Sequence, residues 1–136
     1  MQKAFRSVLI IAAGLFGMLG VGGAAVAAHG GDDRFVAIAA AIALVHAPVL
    51  LALAALPRDL LRWHAASGLL LIVGTLLFSG DLAARRFFGD RLFENTAPAG
   101  GMILIGGWLL VVIGAVLAAA APKGQRQSRE RDDAGI

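Results

Sequence analysis

Residues 97–121 read APAGGMILIGGWLLVVIGAVLAAAA, 25 residues without a charge. A bilayer core of roughly 30 Å needs about 20 helical residues at 1.5 Å each, so this segment is long enough to span with some tilt. Gly100, Gly107 and Gly114 fall seven apart, and Ala121 continues the series. A seven-residue period keeps small side chains on one seam of a helix, where another backbone can come close. Other spans must supply what packs there.

Three further apolar stretches precede it. Residues 8–28 run uncharged behind Lys3 and Arg6. Ala25 and Ala27 have the spacing of a signal-peptidase site, but signal cores are usually about 7–15 residues and this stretch is longer, so a retained helix is expected. Gly14, Gly17 and Gly20, then Ala24 and Ala28, make it rich in small residues. Residues 35–56 form the second stretch, with His46 and Pro48 inside; a helical proline removes the hydrogen bond to residue i−4 and tends to kink the helix. Residues 63–80 form the third, where Ser67/Gly74 and Gly68/Thr75 are spaced by seven.

The chain as a whole is 59% hydrophobic, with a net charge of +3 and no cysteine. Soluble domains are about 45–50% apolar, and here the excess lies in the four blocks. Disulfides, thiolate metal sites and cysteine nucleophiles are excluded. The expected fold is an all-α, up-and-down bundle of four transmembrane helices at about 8–28, 35–56, 63–80 and 97–121. Residues 1–121 form one domain, and residues 122–136, PKGQRQSRERDDAGI, form a disordered tail. Residues 81–95 mix Arg85, Arg86 and Arg91 with Phe87, Phe88 and Phe93. They suit either a short helix in the membrane surface or a solvated loop with aromatic anchors.

Lysines and arginines number eight across the N-terminus, second loop and tail, against four in the first and third loops. That imbalance places both termini in the cytoplasm. The basic charges are topology signals and lipid headgroup contacts, so nucleic acid is not an expected partner.

Phe78-Ser79-Gly80, Ala97-Pro98-Ala99-Gly100-Gly101, and Gly107-Trp108-Leu109 followed by Gly114-Ala115 occur in an order and spacing that resembles the YgdD-like family. That is a domain-of-unknown-function family of small bacterial inner-membrane proteins with a eukaryotic transmembrane relative. His29-Gly30 resembles its Gly-Ala-His-Gly element, and His46-Ala47 its His-Ala-Leu element. Ala43 stands where the family often has a second histidine, and Ala97 where it has threonine before proline. The resemblance implies four helices in the inner membrane and no known reaction.

Several residues are candidates for chemistry. His46 stands eleven residues into its span, about 16 Å from the outer end. A polar group at that depth usually faces the bundle interior, as a proton relay, a quinone contact, a haem ligand or a neutral imidazole bonded across the bundle. Ser67 and Thr75 match its depth. Haem would need a second histidine at that depth, and neither His29 nor His64 supplies it. His29, Asp32, Asp33 and Asp81 should share the outer face, without the spacing of a recognised metal site. Asp81 can pair with Arg85 on the surface if the third helix continues. Ser79 and Asp81 join His46 and His29 as candidate functional polar residues. Gly100, Gly107 and Gly114 are the packing residues, and Trp108 should pack inside with its N–H satisfied or face acyl chains. No nucleophile, base and orienter set occurs, and no metal or cofactor is expected. The composition therefore points to a non-enzymatic integral membrane protein with a structural, assembly or partner-binding role. Its partners would be membrane lipids, another membrane protein or a second copy. The alternative is a binder or carrier of a small apolar molecule, a lipid or quinone, near His46.

Overall fold

The computed structural model describes residues 2–30, 33–57 and 63–121. Four helices follow one another: α1 Gln2–His29, α2 Arg34–Ala55, α3 His64–Phe87 and α4 Thr96–Ala120. Each is long and apolar enough to cross a bilayer. The connections are short, so consecutive helices run antiparallel in an up-and-down bundle. The expected tail lies outside the described residues.

The third helix is the main departure from the expected bounds. It does not stop at Gly80 but continues to Phe87. Leu82 and Ala84 are buried, which carries the packed face one turn and more past the expected end. Residues 81–95 are thus neither a surface helix nor wholly a loop. Their first half belongs to α3, and the chain turns at Gly89, whose φ of 76° suits a residue without a Cβ. The second helix stays unbroken through Pro48.

Packing is hairpin by hairpin. α1 lies along α2 and α3 lies along α4, while the two pairs join chiefly through α2 on α3. Among the described residues the backbones of α1 and α4 do not approach each other, so the ring of four is open. Leu9 and Phe16 of α1, Leu50 of α2, Leu71 of α3 and Leu104 of α4 meet in the buried core.

Small residues set how closely the helices approach. In lipid there is no hydrophobic drive between helices, and packing contacts carry the association. A Cβ placed on Gly100 would lie 2.6 Å from the backbone nitrogen of Phe78 and 3.0 Å from the carbonyl oxygen of Gly74. One placed on Gly74 would lie 2.9 Å from the backbone nitrogen of Leu104, and one on Gly107 would lie 2.9 Å from Leu71 Cδ2. Successive layers of the α3–α4 hairpin therefore oppose Phe78 to Gly100, Gly74 to Leu104, and Leu71 to Gly107. Gly74 and Gly107 receive leucine side chains and Gly100 receives the Phe78 backbone, and the glycine changes helix from layer to layer. Gly114 is buried further along the same face. The first hairpin repeats the device, with Gly20 against Leu44 and the Ala40 carbonyl, and Gly23 against Ala40.

Polar ties fasten the helix ends. Arg6 Nε donates to the Ala54 carbonyl at 2.7 Å, satisfying one of the last carbonyls of α2. Asp33 caps α2 by accepting from the Val36 N–H, and its other oxygen pairs with Arg86 near the end of α3.

Two glycines separate backbone contact from helix propensity. Gly100→Ala forces α3 and α4 apart and should cost about 1–3 kcal/mol as overpacking. Gly106, with open space where its Cβ would be, should accept alanine within about 0.5 kcal/mol. Thermal unfolding of both variants in detergent measures the difference; equal midpoints would remove the close approach as a source of stability.

Candidate functional site

His46 lies in the middle of α2 and is 4% exposed. Its Nδ1 is 2.7 Å from the carbonyl oxygen of Ile42, one turn back on the same helix. Its Nε2 is 3.3 Å from Trp108 Nε1 on α4. Indole nitrogen only donates, so Nε2 is the acceptor and Nδ1 carries the proton that goes to Ile42. Both ring nitrogens are thereby occupied in a neutral tautomer. The two rings sit 6.1 Å apart between centroids and are tilted by 56°.

The partner is not one of the two expected hydroxyls. Ser67 Oγ donates to the Trp63 carbonyl at 3.2 Å within its own helix, and Thr75 Oγ1 has no partner among the described residues. Trp108 combines the two expected placements. Its N–H is satisfied, but the ring is 40% exposed, so it spans from the apolar surface to the buried imidazole. The pair was accessible to sequence reasoning, because both residues lie midway along their spans and each needs a hydrogen-bond partner there.

The other candidates lie elsewhere. Ser79 Oγ donates to the Ala39 carbonyl at 3.0 Å, a bond between α3 and α2. His29 ends α1 in an exposed position, with Nδ1 2.9 Å from the Ala25 carbonyl. Asp81 is the most buried charged residue described, at 0% exposure. It accepts from Arg85 Nε at 2.9 Å and Nη2 at 2.6 Å through one oxygen, and from the Leu92 N–H at 2.9 Å through the other. The Asp81–Arg85 pair thus forms but is not a surface pair: the carboxylate is enclosed and fastens the α3–α4 connection to α3. Nothing in the sequence signals the contact with Leu92.

His46 therefore does not share a site with His29, Ser79 and Asp81. It sits midway along α2, and they lie toward the end of the bundle that carries the α1–α2 and α3–α4 connections. Asp33 and Asp81 are each bound to an arginine and a backbone N–H. Among the described residues no three His, Asp or Glu side chains gather where a metal could be held. The His46–Trp108 bond brings together one titratable ring and one donor, an arrangement that locks two helices by a buried hydrogen bond.

Two measurements follow. His46→Leu and Trp108→Phe should each destabilise the protein, and the double variant should cost less than their sum. The coupling expected is about 0.5–1.5 kcal/mol in a double-mutant cycle in detergent, and strict additivity would deny the bond. Asp81→Ala removes three hydrogen bonds at once. It should cost about 2–4 kcal/mol and raise hydrogen exchange at Leu92, whereas unchanged exchange there would exclude the clamp.

Comparison with known proteins accords with this architecture. The family model described as "Protein of unknown function (DUF423)" matches residues 23–101, from the end of α1 into the first turns of α4. The UPF0382 inner membrane protein YgdD of Escherichia coli K12 is 36% identical over 72 residues, which is 52% of this chain and 55% of that protein. The proteins of the same name from Escherichia coli O157:H7 and Shigella flexneri match to the same extent. The match thus spans about half the length of these relatives. No solved structure matches. The blocks at Gly107–Leu109 and Gly114–Ala115 lie beyond the residues matched by the family model. With four membrane-length helices and an inner-membrane relative, the protein is a multi-pass inner-membrane protein, and it belongs to the DUF423 family.

Proposed function

We propose that the protein is a non-enzymatic component of the inner membrane whose role is to hold another membrane protein or a second copy of itself. The observation that carries this reading is the state of its polar interior. The most central titratable residue, His46, has both nitrogens committed to protein partners, and the buried carboxylate of Asp81 is likewise committed. These groups serve cohesion. The carrier reading centred on His46 has less support, because His46 is absent from the walls of two prominent grooves among the described residues.

The surface left for a partner is the outward side of α4. The main chain of that helix approaches α3 alone among the described residues, and Met102, Ile105, Leu109, Val112 and Val116 are exposed. Lipid covers such a face by default, and a partner helix covers it where association is needed. Both termini are assigned to the cytoplasm on the eight-to-four distribution of basic residues.

The absence of cysteine allows single-cysteine tests without background. Ile105→Cys and Leu109→Cys should each cross-link in native membranes to one discrete species, a second copy or a stoichiometric partner. Monomer alone at both positions would defeat the reading. A reporter fused to the C-terminus should be active only as a cytoplasmic fusion; activity in the periplasm would reverse the orientation.

A further inference from the structure

At the end of the bundle where α1 and α3 begin and α2 and α4 finish, a groove of about 580 Å³ opens between the first three helices. Its walls include Phe5 and Arg6 of α1, Leu56 and Pro57 just past α2, and Trp63 and Ala65 at the start of α3. Because these are the ends of membrane-length helices, the groove lies where acyl chains give way to headgroups. Lipid is its neighbour by position.

Charge narrows the occupant. Arg6 is the one formally charged residue in the walls among the described residues, and Lys3 stands one turn before it on α1. The described carboxylates, Asp33, Asp81, Asp90 and Glu94, all lie at the opposite end of the bundle. There Arg85 and Arg86 each pair with an aspartate. Arg6 has no such partner among the described residues. Its Nε donates to the Ala54 carbonyl at 2.7 Å, which holds the guanidinium against the end of α2. Its two Nη groups take no partner among the described residues, and Arg6 is exposed, so an incoming anion reaches them. Fixed in this way, they suit phosphate oxygens, and such charge-assisted bonds are about twice as strong as neutral ones.

The apolar part of the wall separates a lipid from a free anion. Leu56 is 36% and Trp63 49% exposed, and Pro57 is exposed as well. A free phosphate engages the arginine and leaves these side chains uncovered. A phospholipid puts its phosphate on the arginine and its first acyl carbons on the apolar wall, with Trp63 at the depth that tryptophan favours. Zwitterionic phospholipids bring an ammonium beside the phosphate, toward a cation that no described carboxylate offsets. Phosphatidylglycerol brings the phosphate alone.

We propose that this groove is a binding site for an anionic phospholipid, its phosphodiester accepting from the Nη groups of Arg6 and its apolar part resting on Leu56 and Trp63. Binding alone is assigned to the site. No residue of α4 is among its walls, so cross-linking at the α4 face and lipid retention here succeed or fail separately.

The test uses the full chain in nanodiscs of equal phosphatidylcholine and phosphatidylglycerol, with retained lipid counted by native mass spectrometry. Unfolding midpoints are compared with those in discs of phosphatidylcholine alone. Wild type should retain phosphatidylglycerol over phosphatidylcholine about tenfold and unfold at a higher midpoint in the mixed discs. Arg6→Gln removes the charge and should bring the two lipids to near parity. Ala65→Glu sets a carboxylate in the groove wall, in the first turn of α3 where negative charge favours a helix. It should keep the fold and lose the preference, and it decides alone if Arg6→Gln fails to fold. Glycerol 1-phosphate, the soluble headgroup, should leave the midpoint in phosphatidylcholine discs unchanged. Equal retention of both lipids by wild type, or an undiminished preference in Ala65→Glu or folded Arg6→Gln, overturns the proposal. So does a midpoint raised as far by glycerol 1-phosphate as by phosphatidylglycerol, which would make the site one for a free anion. A stoichiometric cross-link from Pro57→Cys to another protein in native membranes also overturns it, by showing the groove covered by protein.

Discussion

Backbone-to-backbone approach at glycine is the constraint on which the rest of the structure depends. In water a helical glycine is a loss of about 1 kcal/mol against alanine. In lipid the balance changes, because side chains gain nothing by leaving one apolar medium for another, and only closer contact distinguishes the packed state. Gly74 and Gly100 bring the axes of α3 and α4 near enough for the main chain of one to touch the other. Once that spacing is fixed, Phe78, Leu104 and Leu71 have definite pockets to fill. The seven-residue spacing along α4 then holds the register over successive layers.

Polar groups play a supporting role, placed where apolar packing is weakest. Trp108 reaches from α4 to His46 although the main chains of α4 and α2 do not come together. Ser79 joins α3 to α2 at the junction between hairpins. At the end of the bundle that carries the α1–α2 and α3–α4 connections, Asp33 and Asp81 each bind one arginine and one backbone N–H. At the opposite end Arg6 closes the last turn of α2. Each is the single strong contact available at a place where small residues cannot interlock.

Much of this was legible in the sequence. Charge-free length alone located the four helices, and the spacing of Gly100, Gly107 and Gly114 identified the face of α4 that is buried. The end of α3 was not legible from hydropathy, because Asp81, Arg85 and Arg86 look like the start of a loop. They continue the helix since Asp81 and Arg85 neutralise each other at i,i+4, Arg86 pairs with Asp33, and Leu82 and Ala84 keep the buried face going. The partner of His46 was misjudged because depth was matched only to hydroxyls, while tryptophan at mid-bilayer was read as packing. The burial of Asp81 had no local signature, because it depends on where residues 88–95 fold back.

The hairpin arrangement also bears on how the molecule is made. Each consecutive pair of helices carries matching knobs and hollows for its own partner, and the contacts between pairs are fewer. The first two helices can lock together as they leave the ribosome, before the last two have been synthesised. Biogenesis thus acquires a halfway stage at which one packed hairpin already rests in the bilayer, with His46 and Asp33 still awaiting Trp108 and Arg86, and the second hairpin completes them as it docks.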